Sequence, residues 1–306
     1  MYEASQGGKL LFPDRVDTSI CSTMPKVLDI LLLDRTTSTP SKAHNIIWAN
    51  DHYQEIDPDL YAPTAEITKD LVTGELSNII LPRALKAQSL QKKRTKANAE
   101  VFTPIWIVKK QNDVADIDYA NDDLETYVNR KWLEITCGEA PYMATRYDVE
   151  NGELVPLADR VGFVDRKLAR INKEIADKAE WQRYAELAYK ASYGFEWNGD
   201  SLLLARKNLL NTYEDYYQAK WNSTPTHGLL INIATIISFN IFQMDGLTYI
   251  IPLSETRVEN KKTQLSLFDF GETEEIEWVT IPGKRVRIMN WDSNKMEYFD
   301  KGLRRK

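Results

Sequence analysis

The chain has 306 residues, of which 43% are hydrophobic and 27% are charged, so it can bury a sizeable core. Its two cysteines exclude a disulfide framework and a cysteine-based zinc cluster, and no metal site is predicted. The net charge of −6 argues against a protein whose only partner is nucleic acid, because such proteins are usually basic. We expect a cytoplasmic protein without a membrane span, since polar residues interrupt the longest apolar run.

Residues 1–98 are predicted to form an N-terminal extension. Val27–Asp34 is expected to be a buried strand because it is almost continuously apolar. Pro82–Asn98 is expected to be a helix, since proline begins it and good helix formers follow. This helix has basic residues and no acid, so it either contacts DNA phosphates or is a solvated face. The candidate DNA contacts are Lys92, Lys93, Arg94 and Lys96.

Strands and helices alternate from Trp132 onward. This pattern predicts an α/β fold whose mostly parallel sheet is covered by helices on both faces, in a domain spanning residues 99–254. The predicted strands are Trp132–Ile135, Val161–Asp165, Tyr193–Trp197 and Asn240–Met244. The predicted helices are Arg166–Ser192, Asp200–Trp221 and Leu229–Phe239.

The C-terminal part is predicted to differ from this domain. Residues 255–285 are charged and turn-rich, and we expect a flexible acidic loop there. Residues 286–306 are expected to form a hairpin and a basic tail, with the turn at Asp292-Ser293-Asn294 between two alternating runs.

Chemistry-bearing residues follow three of the predicted strands. A turn of small residues, Glu134–Ala140, follows the first. Glu196 ends a later strand, and a carboxylate there can accept both hydroxyls of a ribose. Asp245 ends the next strand and can accept a proton from an adenine amino group. Ligands bind at the carboxyl edge of α/β sheets, so together these positions predict a nucleoside pocket.

Four sequence elements, in order across residues 99–247, resemble the adenine-N6 DNA methyltransferases of restriction-modification systems. Ala99–Pro104 (AEVFTP) is similar to the G-x-[FY]-x-T-P element of that family. Leu133–Ala140 (LEITCGEA) is similar to its [DE]-P-A-C-G-x-G loop. Tyr193–Leu210 and Asn240–Leu247 resemble its next two strand units, the first with the pattern A-x-x-N-L and the second with N-x-x-x-x-D-x-L. The resemblance implies a Rossmann-like fold that binds S-adenosylmethionine, as in a modification subunit.

The resemblance also implies roles for individual residues. Phe102, Thr103 and Pro104 would border the methionine end of the cofactor. Glu196 would hold the ribose, and Asp245 the adenine amino group. The residues that would line the cofactor loop are Glu134, Thr136, Cys137, Gly138 and Ala140.

Two of these roles have alternatives. Cys137 would be a small loop residue, and a nucleophilic thiol is the other interpretation. Asp165 is a rival for the ribose role because its separation from the loop is nearer the usual ~20 residues. Glu196 is favoured because Ala205, Asn208 and Leu209 follow it in the family's register.

The sequence departs from the family in its loop and further downstream. Ile135 stands where the family has proline, and Ala140 where it has the last glycine, so a methyl group there could narrow the approach to the cofactor. Residues 246–306 contain nothing that matches the [DNS]-P-P-[YF] segment, which holds the amino group of a flipped adenine. We therefore expect a short form that requires a companion methyltransferase or restriction subunit for catalysis.

Gln264–Phe268 (QLSLF) resembles the peptide by which bacterial proteins bind the DNA polymerase sliding clamp. Leu267 and Phe268 would enter an apolar pocket of the clamp, while Gln264 makes polar contacts. Alternatively, Leu265, Leu267 and Phe268 pack against their own domain as an edge strand.

The sequence features bear on three possible functions of the chain. The leading hypothesis is a DNA adenine methyltransferase subunit that binds S-adenosylmethionine and DNA. The alternative is a non-catalytic adaptor with a degenerate methyltransferase fold, associated with DNA or the sliding clamp. A nicotinamide dehydrogenase fits poorly because the G-x-G-x-x-G loop is missing.

Overall fold

The computed structural model describes residues 24–85, 103–119, 121–148, 150–264 and 273–301. The fold of these residues is mixed α/β, with seven helices of six or more residues and seven strands. The helices are α1 Pro25–Leu32, α2 Ile105–Asp116, α3 Leu124–Asn129, α4 Phe163–Glu174, α5 Lys178–Lys190, α6 Gly199–Trp221 and α7 His227–Asn240. The strands are β1 Trp132–Glu134, β2 Ser192–Glu196, β3 Ile241–Gln243, β4 Thr256–Gln264, β5 Thr273–Ile281, β6 Arg287–Asn290 and β7 Lys295–Tyr298.

The central sheet is parallel and has the order β1-β2-β3. Leu133 of β1 pairs with Tyr193 of β2, and Phe195 of β2 pairs with Phe242 of β3. The carboxyl ends of all three strands therefore lie at one edge of the sheet. This confirms the predicted strands that begin at Trp132, Tyr193 and Asn240, with their ends shifted by one or two residues.

The two faces of this sheet are covered by different kinds of structure. Phe195 and Phe242 lie in an apolar cluster with Val286 and the ring of Phe299, which belong to the C-terminal part of the chain. Alternate residues, such as Ile241, belong to the helical core on the opposite face. Within the described ranges, helices therefore cover one face and the β6–β7 hairpin the other, where the sequence predicted helices on both. The hairpin itself was predicted and is confirmed.

The N-terminal residues belong to the same core as the sheet. Residues from α1 and from the stretch that follows it, up to Ile80, are in one apolar cluster with α4, α5, α6 and α7. The prediction of a strand at Val27–Asp34 is wrong because Pro25 begins a helix there. Its buried residues, Val27, Leu28, Leu31 and Leu32, recur with helical spacing.

Three further predictions are corrected. Val161–Asp165 is not a strand, because Gly162 leads directly into α4 at Phe163. The single helix predicted over 166–192 is two helices, with Asp177 capping the second by accepting the N–H of Glu180 at 2.8 Å. Within the range 255–285, predicted as a flexible loop, residues 256–264 and 273–281 are instead the paired strands β4 and β5, with Thr256 opposite Ile281 and Gln264 opposite Thr273.

Several predicted features lie outside the described residues. They are the helix beyond Leu85, Phe102, the basic residues Lys92, Lys93, Arg94 and Lys96, and the peptide residues Leu265, Leu267 and Phe268. Of the helices described, none is both long and apolar enough to cross a bilayer.

Candidate functional site

The loop after β1 is held at the carboxyl edge of the sheet by its backbone. The N–H of Cys137 donates to the carbonyl of Phe195 at 2.8 Å, which ties the loop to the end of β2. Thr136, Gly138 and Ala140 all have positive φ angles, of 47°, 55° and 64°. Two of the three carry a side chain, and such residues adopt this conformation only where the surrounding structure imposes it.

Ala140 adopts the left-handed conformation that glycine adopts without strain. It is fully buried and belongs to the helical core. The methyl group that the sequence suggested could narrow a ligand site is therefore packed inside the protein. Thr136, in contrast, is exposed at the surface of the loop.

Glu134 turns into the protein instead of towards the loop surface. One carboxylate oxygen accepts the N–H of Tyr142 at 3.1 Å and the other accepts the N–H of Met143 at 2.9 Å. Burial raises the pKa of Glu134 to about 8, and the neighbouring Glu196 carboxylate adds to the rise. Its carboxylate holds the far end of the loop in this structure, whereas the resemblance placed Glu134 in the lining of the cofactor loop.

Glu196 lies at the end of β2, as predicted, and links three parts of the site. Its Oε2 atom accepts the N–H of Gly138 at 2.9 Å, and its Oε1 atom accepts the N–H of Asn198 at 3.1 Å. The residue is 8% exposed, and burial raises its pKa. The side-chain amide of Asn198 also donates to Oε1, at 3.4 Å. A carboxylate offers about four acceptor positions, so these three bonds leave at most about one for a further donor.

Asp245 lies just beyond β3 and is partly exposed. Its Oδ1 atom accepts the N–H of Leu247 at 2.8 Å, and its Oδ2 atom accepts the hydroxyl of Thr248 at 2.5 Å. The backbone N–H of the preceding residue, Met244, donates to the carbonyl of Glu196 at 3.0 Å. Because of this bond, the turn that carries Asp245 begins next to Glu196.

Cys137 is a packed loop residue. It is 2% exposed, and its sulfur would be 3.4 Å from a Cβ atom built on Gly194 of β2. Burial raises the pKa of its thiol well above the usual range, and the carboxylates of Glu134 and Glu196 raise it further. A thiol in this environment is not a nucleophile, so the geometry favours the small-residue interpretation.

Asn208, the asparagine of the A-x-x-N-L unit, holds the loop by hydrogen bonds. The side-chain N–H groups of Asn208, in α6, donate to the carbonyls of Glu139 and Ala144 at 3.2 and 3.1 Å. Glu139 is itself buried, and it accepts the N–H of Arg83 at 2.8 Å and the hydroxyl of Tyr147. The loop is therefore fixed from both the helical core and the N-terminal residues.

Asp165 does not lie at a strand end, so its rival role as the ribose acid is excluded. It is in the first turn of α4 and is fully buried. Its Oδ2 atom accepts the N–H of Thr145 at 2.7 Å. Burial raises its pKa to about 6. This carboxylate fastens α4 to the chain that leaves the loop.

Residues 47–53, here called the edge segment, lie across the carboxyl ends of β2 and β3. The side-chain amide of Gln243 pairs with the backbone of Ile47 through bonds of 2.9 and 2.8 Å. The N–H of Gly199 donates to the carbonyl of Trp48 at 3.0 Å. Asn50 donates to Asp200 at 3.1 Å.

No local signal could have placed the edge segment at the site, because its partners at the sheet edge lie between 147 and 196 residues further along the chain. The Thr103–Pro104 element immediately precedes α2. Asn112 of this helix donates 3.0 Å bonds to the carbonyls of Tyr142 and Val161. Phe102 is outside the described residues.

Comparison of the chain with family models, with curated proteins and with solved structures found no match. The interpretation of the site therefore depends on its own geometry and on the sequence motifs.

Proposed function

We propose that this chain is the cofactor-binding subunit of an adenine-specific DNA methyltransferase of the restriction-modification type, acting in the cytoplasm. The observation that carries the proposal is the order of the parallel sheet. Three strands adjacent in sequence order bring the loop of residues 135–140, Glu196 and Asp245 to one edge. A Rossmann-like nucleoside site needs this arrangement of a close backbone loop and strand-end acids.

The residues fit S-adenosylmethionine at two positions. Glu196 would accept a ribose hydroxyl at its remaining acceptor position, since its bonds from Gly138 and Asn198 orient the carboxylate. Asp245 would accept the adenine amino group, and its bonds to Leu247 and Thr248 fix its orientation. Gly138, Thr136 and the Thr103–Pro104 element would border the rest of the cofactor. Glu134 and Ala140 would shape the loop from inside.

The cofactor supplies an electrophilic methyl group when bound, and the chain's own part is to position it. Methyl transfer to an adenine nitrogen depends mainly on in-line orientation. Asn208 and Glu134 hold the far end of the loop, through the carbonyls of Glu139 and Ala144 and the N–H groups of Tyr142 and Met143. The loop is therefore in place before any ligand arrives. Residues 246–306 contain no [DNS]-P-P-[YF] segment, and we propose that a companion chain holds the flipped base.

A non-catalytic adaptor is the second candidate. It is favoured by the burial of Glu196, which is only 8% exposed, and by the use of Glu134 as an internal bond acceptor. An adaptor of this kind would keep the sheet as a scaffold and bind no cofactor.

Equilibrium dialysis with labelled S-adenosylmethionine separates the two candidates. We expect the wild-type chain to bind the cofactor and Glu196→Gln to bind it at least tenfold more weakly, because an amide replaces one acceptor oxygen with a donor. Asp165→Asn, at a buried carboxylate away from the carboxyl edge of the sheet, is the matched control and should keep the wild-type affinity. Thermal melts without ligand show whether each variant is folded. An equal loss of cofactor affinity in both variants, or no cofactor binding by the wild-type chain, would favour the adaptor.

Methylation assays test the proposal that catalysis requires a companion chain. The purified chain alone should transfer no methyl group to DNA. Methylation should appear when a companion chain carrying an N-P-P-Y segment is added. Robust methylation of adenine by the isolated chain would contradict the requirement for a companion chain.

A further inference from the structure

A buried network of hydrogen bonds joins the edge segment to Glu196. The side-chain amide of Asn50 donates to Oδ1 of Asp200 at 3.1 Å and to Oδ1 of Asn198 at 3.4 Å. The hydroxyl of Tyr53 donates to Oδ2 of Asp200 at 2.8 Å. Asn198 in turn donates its backbone N–H and its side-chain amide to Oε1 of Glu196. Each of these five residues is no more than 8% exposed, so the network lies inside the protein.

The backbone of the edge segment holds the turn that follows Glu196. The carbonyl of Ala49 accepts the indole N–H of Trp197 at 2.8 Å, and the carbonyl of Trp48 accepts the N–H of Gly199 at 3.0 Å. Together with the side-chain bonds, these contacts tie every residue of the turn to the edge segment. The direction of the Glu196 carboxylate therefore depends on the position of the edge segment.

Ala49, which precedes Asn50, has a strained backbone. Its φ angle is 55°, in the left-handed region that residues with a side chain rarely adopt, and the residue is 6% exposed. Such a conformation persists only where the surrounding contacts impose it, and it is most frequent at functional sites. Here it occurs at the point where the edge segment meets Trp197 through the Ala49 carbonyl and Asp200 through the Asn50 side chain.

We propose that Asn50 is a positioning residue of the nucleoside site, which holds the turn after Glu196 and thereby fixes the carboxylate that would accept a ribose hydroxyl. This role rests on the proposed cofactor site. An asparagine suits the position because its two ends differ. Its amide N–H groups donate to Asp200 and Asn198, and its carbonyl oxygen accepts the N–H of His52 at 3.2 Å.

Hydrogen exchange of the ligand-free chain tests the positioning directly, because the N–H groups of Gly138 and Asn198 both donate to Glu196. In Asn50→Ala we expect both amides to exchange at least about tenfold faster than in the wild-type chain, through local opening of the turn. The amide of Met143, which donates to a different carboxylate, is the internal reference and should change little.

A second variant and a control accompany this measurement. Tyr53→Phe removes only the hydroxyl that donates to Asp200, so it should accelerate the same two amides to a smaller extent, and it replaces Asn50→Ala if that variant does not fold. Asn45→Ala is the matched control. The side chain of Asn45 donates to the carbonyl of Ile67 at 2.9 Å, so its loss removes a bond of the same N-terminal stretch away from the turn.

Affinity for S-adenosylmethionine gives the functional measurement. By equilibrium dialysis, Asn50→Ala should bind the cofactor at least about fivefold more weakly, as expected for the loss of one hydrogen bond at the site. Asn45→Ala should keep the wild-type affinity. In the background of Glu196→Gln, Asn50→Ala should cause no further loss, because both substitutions act through the same carboxylate.

Several results would overturn the proposal. Unchanged exchange of the Gly138 and Asn198 amides is one, and equal acceleration of these amides and that of Met143 is another, because it would indicate general destabilisation. Losses of cofactor affinity that multiply in the double variant would show that Asn50 does not act through Glu196. If the wild-type chain binds no S-adenosylmethionine, the cofactor proposal fails, and the exchange rates still decide whether Asn50 fixes Glu196.

Discussion

Gly199, the first residue of α6, is where the edge segment comes closest to the core. A Cβ atom built there would overlap the carbonyl oxygen of Ile47 and would be 2.9 Å from Cδ1 of Ile67. In Gly199→Ala the edge segment must therefore move. That movement removes the bond from Gly199 to Trp48 and the paired bonds between Ile47 and Gln243.

Three hydrogen bonds at ~1 kcal/mol each give a loss of about 3 kcal/mol. The smaller conformational entropy of unfolded alanine returns about 0.4–1 kcal/mol, so the net destabilisation should be about 2 kcal/mol or more. Urea unfolding followed by tryptophan fluorescence measures it. Gly228→Ala is the matched control, since Gly228 lies in the first turn of α7 and a Cβ there meets nothing within 4 Å. It should be neutral or slightly stabilising, and equal stability of the two variants would refute the described position of the edge segment.

Three other predictions concern the loop and the sliding-clamp motif. The pKa of Glu134 is about 8 in the folded chain against an ordinary 4.5, so the folded chain holds this proton more tightly than the unfolded chain does. The free energy of unfolding should therefore fall as the pH rises from about 5 to about 8, by at most about 1.4 kcal/mol per pH unit. Glu134→Gln should flatten part of this slope in urea titrations, and an unchanged slope would contradict the assignment. Cys137 should resist iodoacetamide at pH 8 in the folded chain and react in urea, as peptide mass spectrometry would show; rapid labelling of the native protein would be inconsistent with its burial. Leu267→Ala combined with Phe268→Ala should abolish binding to an immobilised bacterial sliding clamp, and wild-type affinity in the double variant would eliminate that motif.

Long periodic segments, and the positions of the central strands along the chain, were predictable from the sequence. The helix at Gly199–Trp221 and the strands around Leu133, Phe195 and Phe242 lie where their patterns indicate. Short apolar runs were less reliable, because Val27–Asp34 fits a buried strand and a buried helix equally well by composition alone. The proline at position 25 and the spacing of the buried residues were the signals that favoured the helix.

The candidate site was predictable only in outline. Glu196 and Asp245 follow adjacent parallel strands, so the sequence was sufficient to bring them to one edge. The direction of an individual side chain was not predictable. Glu134 is three residues from Cys137, yet its carboxylate turns inward to two backbone N–H groups. The contacts of Ile47 with Gln243 are also beyond sequence patterns, because they join residues that no periodicity relates.

The central claim is that the sheet edge carrying Glu196 and Asp245 binds S-adenosylmethionine. Isothermal titration calorimetry of the full chain tests it most directly, with S-adenosylmethionine, S-adenosylhomocysteine and ATP as separate titrants. We expect the first two to bind at one molecule per chain, and ATP at the same concentration to give no heat of binding. No binding of S-adenosylmethionine at millimolar concentration would contradict it.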